Sequence, residues 1–116
     1  MSFQSFEELD VWKRACQQAV EILDIVEEFR NYALKDQMTR ASISVPSNIA
    51  EGHGRNSTKD FIRFLNYSQG SNGELRTQLY ICGKKKLIPQ DVFQTTLNEN
   101  IEISNMLEGL RASQAR

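Results

Sequence analysis

The sequence predicts an all-α fold, an up-down-up-down antiparallel four-helix bundle that spans residues 1–116 as a single domain. Apolar residues recur at spacings of three and four in four segments, at about 6–29, 32–51, 57–82 and 89–112. The connections between the segments are short, which places consecutive helices antiparallel. A domain of this size hides roughly two-thirds of the surface of its unfolded chain, so one core is feasible.

The first segment carries an apolar seam at heptad spacing. We expect its seam residues to face the core: Leu9, Trp12, Cys16, Ala19, Leu23 and Val26. Val11 and Ile25 are expected to point away from this seam. Residues 6–29 contain thirteen apolar side chains, where a bundle helix of that length needs roughly ten. Monomers tend to avoid an exposed apolar patch, so the excess predicts a homo-oligomer.

The second segment contains a proline within its helical pattern. Its core face is predicted from Leu34, Met38, Ala41, Val45 and Ile49. Pro46 removes one backbone hydrogen bond and crowds the preceding turn, so a kink in the second helix is expected there. Two separate helices are the alternative. We favour the kink because the apolar stripe continues in phase through Pro46.

The third segment opens with a capping box formed by Ser57 and Asp60. Gly70 and Gly73 lie within its helical pattern, where each glycine costs about 1 kcal/mol relative to alanine. The close approach of another helix would explain them. The seam is apolar at both ends and polar in the middle: Phe61, Leu65, Ser68, Asn72, Leu75, Leu79 and Cys82.

The fourth segment begins near Pro89, a favourable first-turn residue. Its apolar side is predicted from Phe93, Leu97, Ile101, Ile103, Leu107 and Leu110.

A ladder of polar residues follows one face of the second helix, at Arg40, Ser44, Asn48, Glu51 and Arg55. With the turn centred near residue 57, facing residues of the hairpin have numbers that sum to about 114. This pairs the ladder with the third helix as Arg40–Glu74, Ser44–Gly70 and Glu51–Arg63. We expect Arg40 and Glu74 to form a partly buried ion pair.

Three functions of this ladder remain open: a partly buried network that sets helix pairing, a recognition surface, and a catalytic site. Buried charges are tolerated only when they are paired and hydrogen-bonded, which favours the first. The predicted structural network comprises Arg40, Ser44, Asn48, Glu51, Arg63 and Glu74.

The charge of the chain is unevenly spread around a net value of −1. Residues 6–29 carry seven acids and two bases, residues 30–88 ten bases and four acids, and residues 89–116 four acids and two bases. Two cationic groups are candidate nucleic-acid or partner contacts: Arg55, Lys59 and Arg63 around the start of the third helix, and Lys84, Lys85 and Lys86 after its end. The three lysines also suit the negative end of a helix dipole. The overall charge predicts at best weak, salt-sensitive binding of RNA or DNA.

Few residues are suited to catalysis or metal binding. His53 is the single histidine and is expected in an exposed turn, without the neighbours that a metal site or a nucleophile needs. Cys16 and Cys82 are expected as small buried thiols of the seams. We therefore expect a non-enzymatic protein with no metal, no cofactor and no catalytic residues. The N-terminus lacks a signal layout and no apolar run could span a bilayer, which predicts a cytoplasmic protein.

Three stretches, "RASISVPSNIAEGHGR", "DFIRFLNYSQGSNGEL" and "MLEGL", resemble the 23S rRNA intervening-sequence proteins. The resemblance runs from Phe6 to Leu110. It implies a bacterial, cytosolic four-helix bundle that assembles into a ring, as a homopentamer. The accessory proteins of diversity-generating retroelements are related to this family and use a similar bundle to bind a reverse transcriptase and nucleic acid.

The functional expectation is therefore an oligomeric helical-bundle adaptor or scaffold for a protein or ribonucleoprotein partner. Direct RNA or DNA binding through the basic hairpin of the second and third helices is the alternative.

Overall fold

Four helices account for most of the residues that the structure, a computed structural model, describes, which are residues 5–116. A single 3-10 turn, Phe6–Glu8, precedes them. The helices are α1 (Asp10–Val26), α2 (Tyr32–His53), α3 (Thr58–Lys84) and α4 (Gln90–Gln114). Each helix packs on its neighbours in the chain, and α1 also contacts α4, which closes the bundle. Residues 5–116 contain no strand, so the predicted all-α four-helix bundle is confirmed.

The helix ends follow local capping chemistry. The Ser57 hydroxyl accepts a hydrogen bond from the backbone N–H of Asp60 at 3.2 Å, which is one of the two hydrogen bonds of the predicted capping box, whereas the Asp60 carboxylate pairs with Arg63. Asn31 caps α2 in the same way through the N–H of Leu34 at 3.0 Å. The first helix is shorter than predicted, because Leu9 has an extended backbone and separates the 3-10 turn from α1.

Pro46 lies inside α2 without dividing it. The helix is continuous from Tyr32 to His53, which excludes the alternative of two separate helices. The bend angle expected at Pro46 stays a prediction. Pro46 is buried, as are its neighbours Val45 and Ile49 on the predicted core face.

The core consists of two apolar clusters, one toward each end of the bundle. The first contains Val45, Ile49 and Leu65. The second contains Met38, Leu75 and Leu79. All seven residues of the predicted α3 seam are buried, including its polar middle. The periodicity of α3 therefore predicted its inward face correctly.

Half of the predicted seam of α1 is correct, since Leu9, Ala19 and Val26 are buried, but the buried face is displaced from the rest of it by part of a turn. Val11 is only 4% exposed, whereas Leu23 is 41% exposed. Trp12 and Cys16 are half-buried. The apolar arc of α1 covers more than half of the helix, so spacing alone cannot tell which side of the arc faces inward. The buried side is the one that carries Gln18, whose amide finds partners inside the bundle.

The glycines that allow close helix contact are not those expected. Apart from the adjoining backbone of α3, no heavy atom of residues 5–116 lies within 4 Å of a Cβ placed on Gly70 or Gly73. A Cβ on Gly52 would lie 2.5 Å from the Cβ of Phe64. One on Gly83 would lie 2.9 Å from a ring carbon of Phe93. Close approach thus occurs near the helix ends, whereas the middle of α3 leaves its two glycines on the surface.

Candidate interaction surfaces

The predicted ion pair between Arg40 and Glu74 does not form. Arg40 pairs with Asp36, one turn earlier on the same helix, and its side chain is 78% exposed. Glu51 pairs with Arg55 at 3.1 Å rather than with Arg63. These i,i+4 partners satisfy the charges locally, and all four side chains remain at least 45% exposed.

Arg63 likewise pairs within its own helix, with Asp60 at 3.2 Å. The hydrogen bond that joins the ladder to α3 is a hydroxyl contact, in which Ser44 Oγ lies 2.8 Å from Ser71 Oγ. Ser71 takes the place predicted for Gly70, a displacement of one residue in the hairpin. Asn48 supports Ser44 by donating to its carbonyl and hydroxyl oxygens, each at 2.9 Å. The charged members of the ladder are therefore surface groups.

The buried polar network lies elsewhere, between α1, α3 and α4. Gln18 Nε2 donates to Asn72 Oδ1 at 3.0 Å. Asn72 Nδ2 donates to the carbonyl oxygen of Asn100 at 2.9 Å. Asn100 Nδ2 in turn donates to Gln18 Oε1 at 3.1 Å and to the carbonyl oxygen of Asn72 at 3.1 Å. We call Gln18, Asn72 and Asn100 the amide layer.

The amide layer continues to the surface of the bundle. Arg76 Nε donates to Asn100 Oδ1 at 2.9 Å, which occupies the remaining oxygen of that amide. The polar middle of the α3 seam signalled Asn72 from the sequence. No sequence feature indicated that Gln18 and Asn100 are buried, because a single amide residue in an amphipathic helix is expected on its solvent-facing side. The amide layer is fully hydrogen-bonded to the protein itself, which gives its residues a structural role.

Two arginines and two aromatic rings form a cluster near the α2–α3 turn. The guanidinium carbons of Arg55 and Arg63 lie 4.9 and 4.8 Å from the centre of the Phe64 ring. Tyr67 meets Phe64 edge-on at 5.3 Å, and Arg63 Nη1 donates to the Tyr67 hydroxyl at 3.3 Å. We call Arg55, Arg63, Phe64 and Tyr67 the Arg–aromatic cluster. It joins two of the predicted contact residues through an aromatic pair that sequence analysis missed.

The other predicted cations are exposed at separate places. Lys59 lies in the first turn of α3, near the Arg–aromatic cluster. Lys84, Lys85 and Lys86 lie at the opposite end of α3, which is about 40 Å long. None of these four lysines makes an ion pair within residues 5–116. The two predicted contact groups are therefore not one continuous basic surface.

The single histidine is less exposed than predicted. His53 ends α2 and is half-buried, with its ring edge-on to Phe61 at 5.7 Å. Cys82 is buried as expected, and its thiol contacts Met38 Sδ at 3.6 Å, whereas Cys16 is half-buried. Burial raises the pKa of both thiols. Across residues 5–116, no three His, Cys, Asp or Glu side chains are grouped as metal ligands.

Large apolar side chains remain on the outer side of α1. Val20 is 50% exposed and lies one turn from the exposed Leu23. Trp12 and Cys16 continue this side at helical spacing. We call Trp12, Cys16, Val20 and Leu23 the α1 outer stripe. No helix within residues 5–116 has the length and hydropathy to cross a membrane.

Comparison with known proteins identifies the family. The model of the 23S rRNA-intervening sequence protein family matches residues 7–109. The chain belongs to this family. The fold is shared by a crystal structure from Bacteroides thetaiotaomicron, of a protein of unknown function from the S23 ribosomal protein family. The two structures superpose with a TM-score of 0.82, and the sequences are 24% identical. The match covers 87% of this chain and 97% of that chain. A search of curated proteins gives no match.

Proposed function

We propose that this 23S rRNA-intervening sequence protein is a non-enzymatic, self-associating adaptor of the bacterial cytoplasm. The observation that carries the proposal is the α1 outer stripe, where Val20 and Leu23 remain exposed. A contiguous apolar surface on a small soluble domain favours association. The amide layer supports a non-enzymatic role, because its polar groups are occupied by one another.

The expected assembly is a closed ring of identical subunits, with the α1 outer stripe of one copy against a different surface of the next. Such a contact is heterologous and repeats until the ring closes. The acidic N-terminal part of the chain and the basic middle part favour contact between unlike surfaces. The resemblance to pentameric bundles makes five the expected number of subunits.

Leu23→Glu is expected to reduce the molar mass measured by light scattering to that of a monomer, because it places a charge in the apolar contact. Thr95→Glu adds the same charge at an exposed position of α4 and is expected to keep the mass of the parent. Circular dichroism checks that both variants are folded. A parent protein that stays monomeric at every concentration and salt level would contradict the proposal.

The Arg–aromatic cluster favours nucleic-acid binding as a second candidate function. Tyr67 presents an exposed ring on which an unpaired base could stack, and Lys59 lies nearby for a phosphate. Arg55 and Arg63 each have a carboxylate partner, which reduces the positive charge of this surface. The expected affinity is therefore low.

Fluorescence anisotropy with a mixed-sequence, single-stranded RNA of about 20 nucleotides tests this second function. We expect weak binding that is lost between about 50 and 200 mM salt, and that Tyr67→Ala and Lys59→Ala reduce further. Lys13→Ala removes an exposed charge of α1 and serves as the control. Tight binding at physiological salt that depends on Tyr67 would make nucleic-acid binding the principal function.

A further inference from the structure

A cleft opens at the end of the bundle opposite the Arg–aromatic cluster, between the α1–α2 turn and the end of α3. Its apolar walls are formed by Phe29, Leu34, Ile81 and Leu87. Its polar residues include Arg30 and Lys85 from the two facing segments, and Glu28. We call this the basic end cleft. Its volume is about 620 Å³, which is enough for one or two large apolar side chains.

The backbone holds two of the apolar walls open to solvent. Ile81 is 45% exposed and Leu87 is 43% exposed. Leu87 is not on a loose loop, because its N–H donates to the carbonyl oxygen of Cys82 at 2.9 Å. Lys86 makes this turn with a φ of 55°, the left-handed conformation that closes a helix end. The cleft is thus a preformed surface, which lowers the entropic cost of binding a partner.

The cations around the basic end cleft have no partners of their own. Arg30 makes no hydrogen bond or ion pair through its side chain within residues 5–116, and the same holds for Lys84, Lys85 and Lys86. This contrasts with the five arginines that are paired with carboxylates: Arg14, Arg40, Arg55, Arg63 and Arg111.

Acidic groups at this end do not cancel the positive charge of the cleft. Glu27 and Glu28 are the acids of the adjoining turn. Asp24 and Asp91 line a different cleft, between α1 and α4. Asp36 is held by Arg40. Among the charged residues that line the cleft itself, Arg30 and Lys85 outnumber Glu28, which predicts a negatively charged partner.

We propose that the basic end cleft binds a short acidic segment of a partner protein, in which a large apolar side chain is flanked by Asp or Glu. The apolar side chain fills the space between Ile81, Leu87 and Leu34, and the flanking carboxylates meet Arg30 and Lys85. Apolar burial supplies the affinity and the charges select the segment. This inference rests on the adaptor role proposed above and names the class of partner.

Selection from a display library of random 12-residue peptides, with the parent protein as bait, tests the proposal. We expect the enriched peptides to carry acidic residues around Leu, Ile or Phe. In fluorescence anisotropy, the most enriched peptide should bind R30E/K85E about tenfold more weakly than the parent or worse. Leu87→Asn should weaken binding similarly, because it removes an apolar wall. The control K13E/R116E has the same change in total charge at exposed, distant sites and should bind like the parent.

Three results would overturn the inference. They are the absence of enrichment above beads without protein, enriched peptides without an acidic bias, and equal losses in R30E/K85E and K13E/R116E. Binding of a 20-nucleotide mixed RNA that depends on Arg30 and Lys85, without peptide enrichment, would assign the cleft to nucleic acid instead. Leu87→Asn changes the cleft but no charge, so its mass by light scattering should equal that of the parent, which distinguishes failure here from failure of self-association.

Discussion

Replacing Asn100 with alanine is expected to destabilise the bundle by about 3 kcal/mol. The side chain of Asn100 is buried and accepts a hydrogen bond from Arg76 while it donates to Gln18 and Asn72. Alanine would leave Gln18 Oε1 without its donor inside the bundle and would remove the acceptor of the half-buried Arg76 Nε. Each unsatisfied buried group costs about 1–3 kcal/mol, and the deletion also leaves a cavity.

Chemical denaturation followed by circular dichroism measures this effect. Asn98→Ala is the matched control, because Asn98 is exposed on the same helix and bonds only with Gln94, one turn away. It is expected to change the free energy of unfolding by less than about 0.5 kcal/mol. Equal stabilities of the two variants would show that the amide layer contributes no more than a surface contact.

Gly52→Ala is expected to reduce stability by about 2 kcal/mol, although alanine is the better helix former. The new methyl group would lie 2.5 Å from the Cβ of Phe64 and 3.2 Å from a ring carbon of Phe61. The first of these atoms is next to the backbone of α3, so the two helices must separate to relieve the clash. Because the Arg–aromatic cluster contains Phe64, separation of the two helices should also change the geometry of this cluster.

Gly70→Ala makes the same chemical change where, apart from the adjoining backbone of α3, no heavy atom of residues 5–116 lies within 4 Å of the new methyl group. It is expected to stabilise the protein by up to about 1 kcal/mol, the difference in helix propensity. Opposite signs of the two changes in unfolding free energy are the predicted result. A loss of stability in Gly70→Ala would show that this surface contacts another molecule in solution.

Sequence periodicity predicted the buried face correctly for the helices that have a narrow apolar stripe. The core faces of α2 and α3 follow from spacings of three and four, and their hairpin pairing was predicted to within one residue, as the Ser44–Ser71 contact shows. The α1 face was not predictable in this way. With thirteen apolar residues in this segment, several faces of the helix could be the buried one. The buried face in the structure is the one that carries Gln18, whose amide bonds with Asn72.

The candidate site was predicted less well, for a different physical reason. Sequence spacing shows which residues share a helix face, but it does not rank the partners that a long charged side chain can reach. Arg40, Glu51 and Arg63 each form an ion pair with a residue one turn away on the chain, because that contact leaves both charged groups largely exposed to water. The Arg–aromatic cluster required the exact crossing of α2 and α3, which sequence spacing does not specify.

The amide layer also limits how many ways this chain can be packed. The apolar clusters on its two sides are similar in kind, so helices that slid along one another would still bury leucine against leucine. A slip of α4 by one turn, about 5.4 Å, would strand Asn100 among apolar groups and leave Gln18 without its partner. A misaligned packing therefore has a higher free energy than the native one, because it loses these hydrogen bonds. The three amides widen the energy gap between the native arrangement and its near-degenerate competitors.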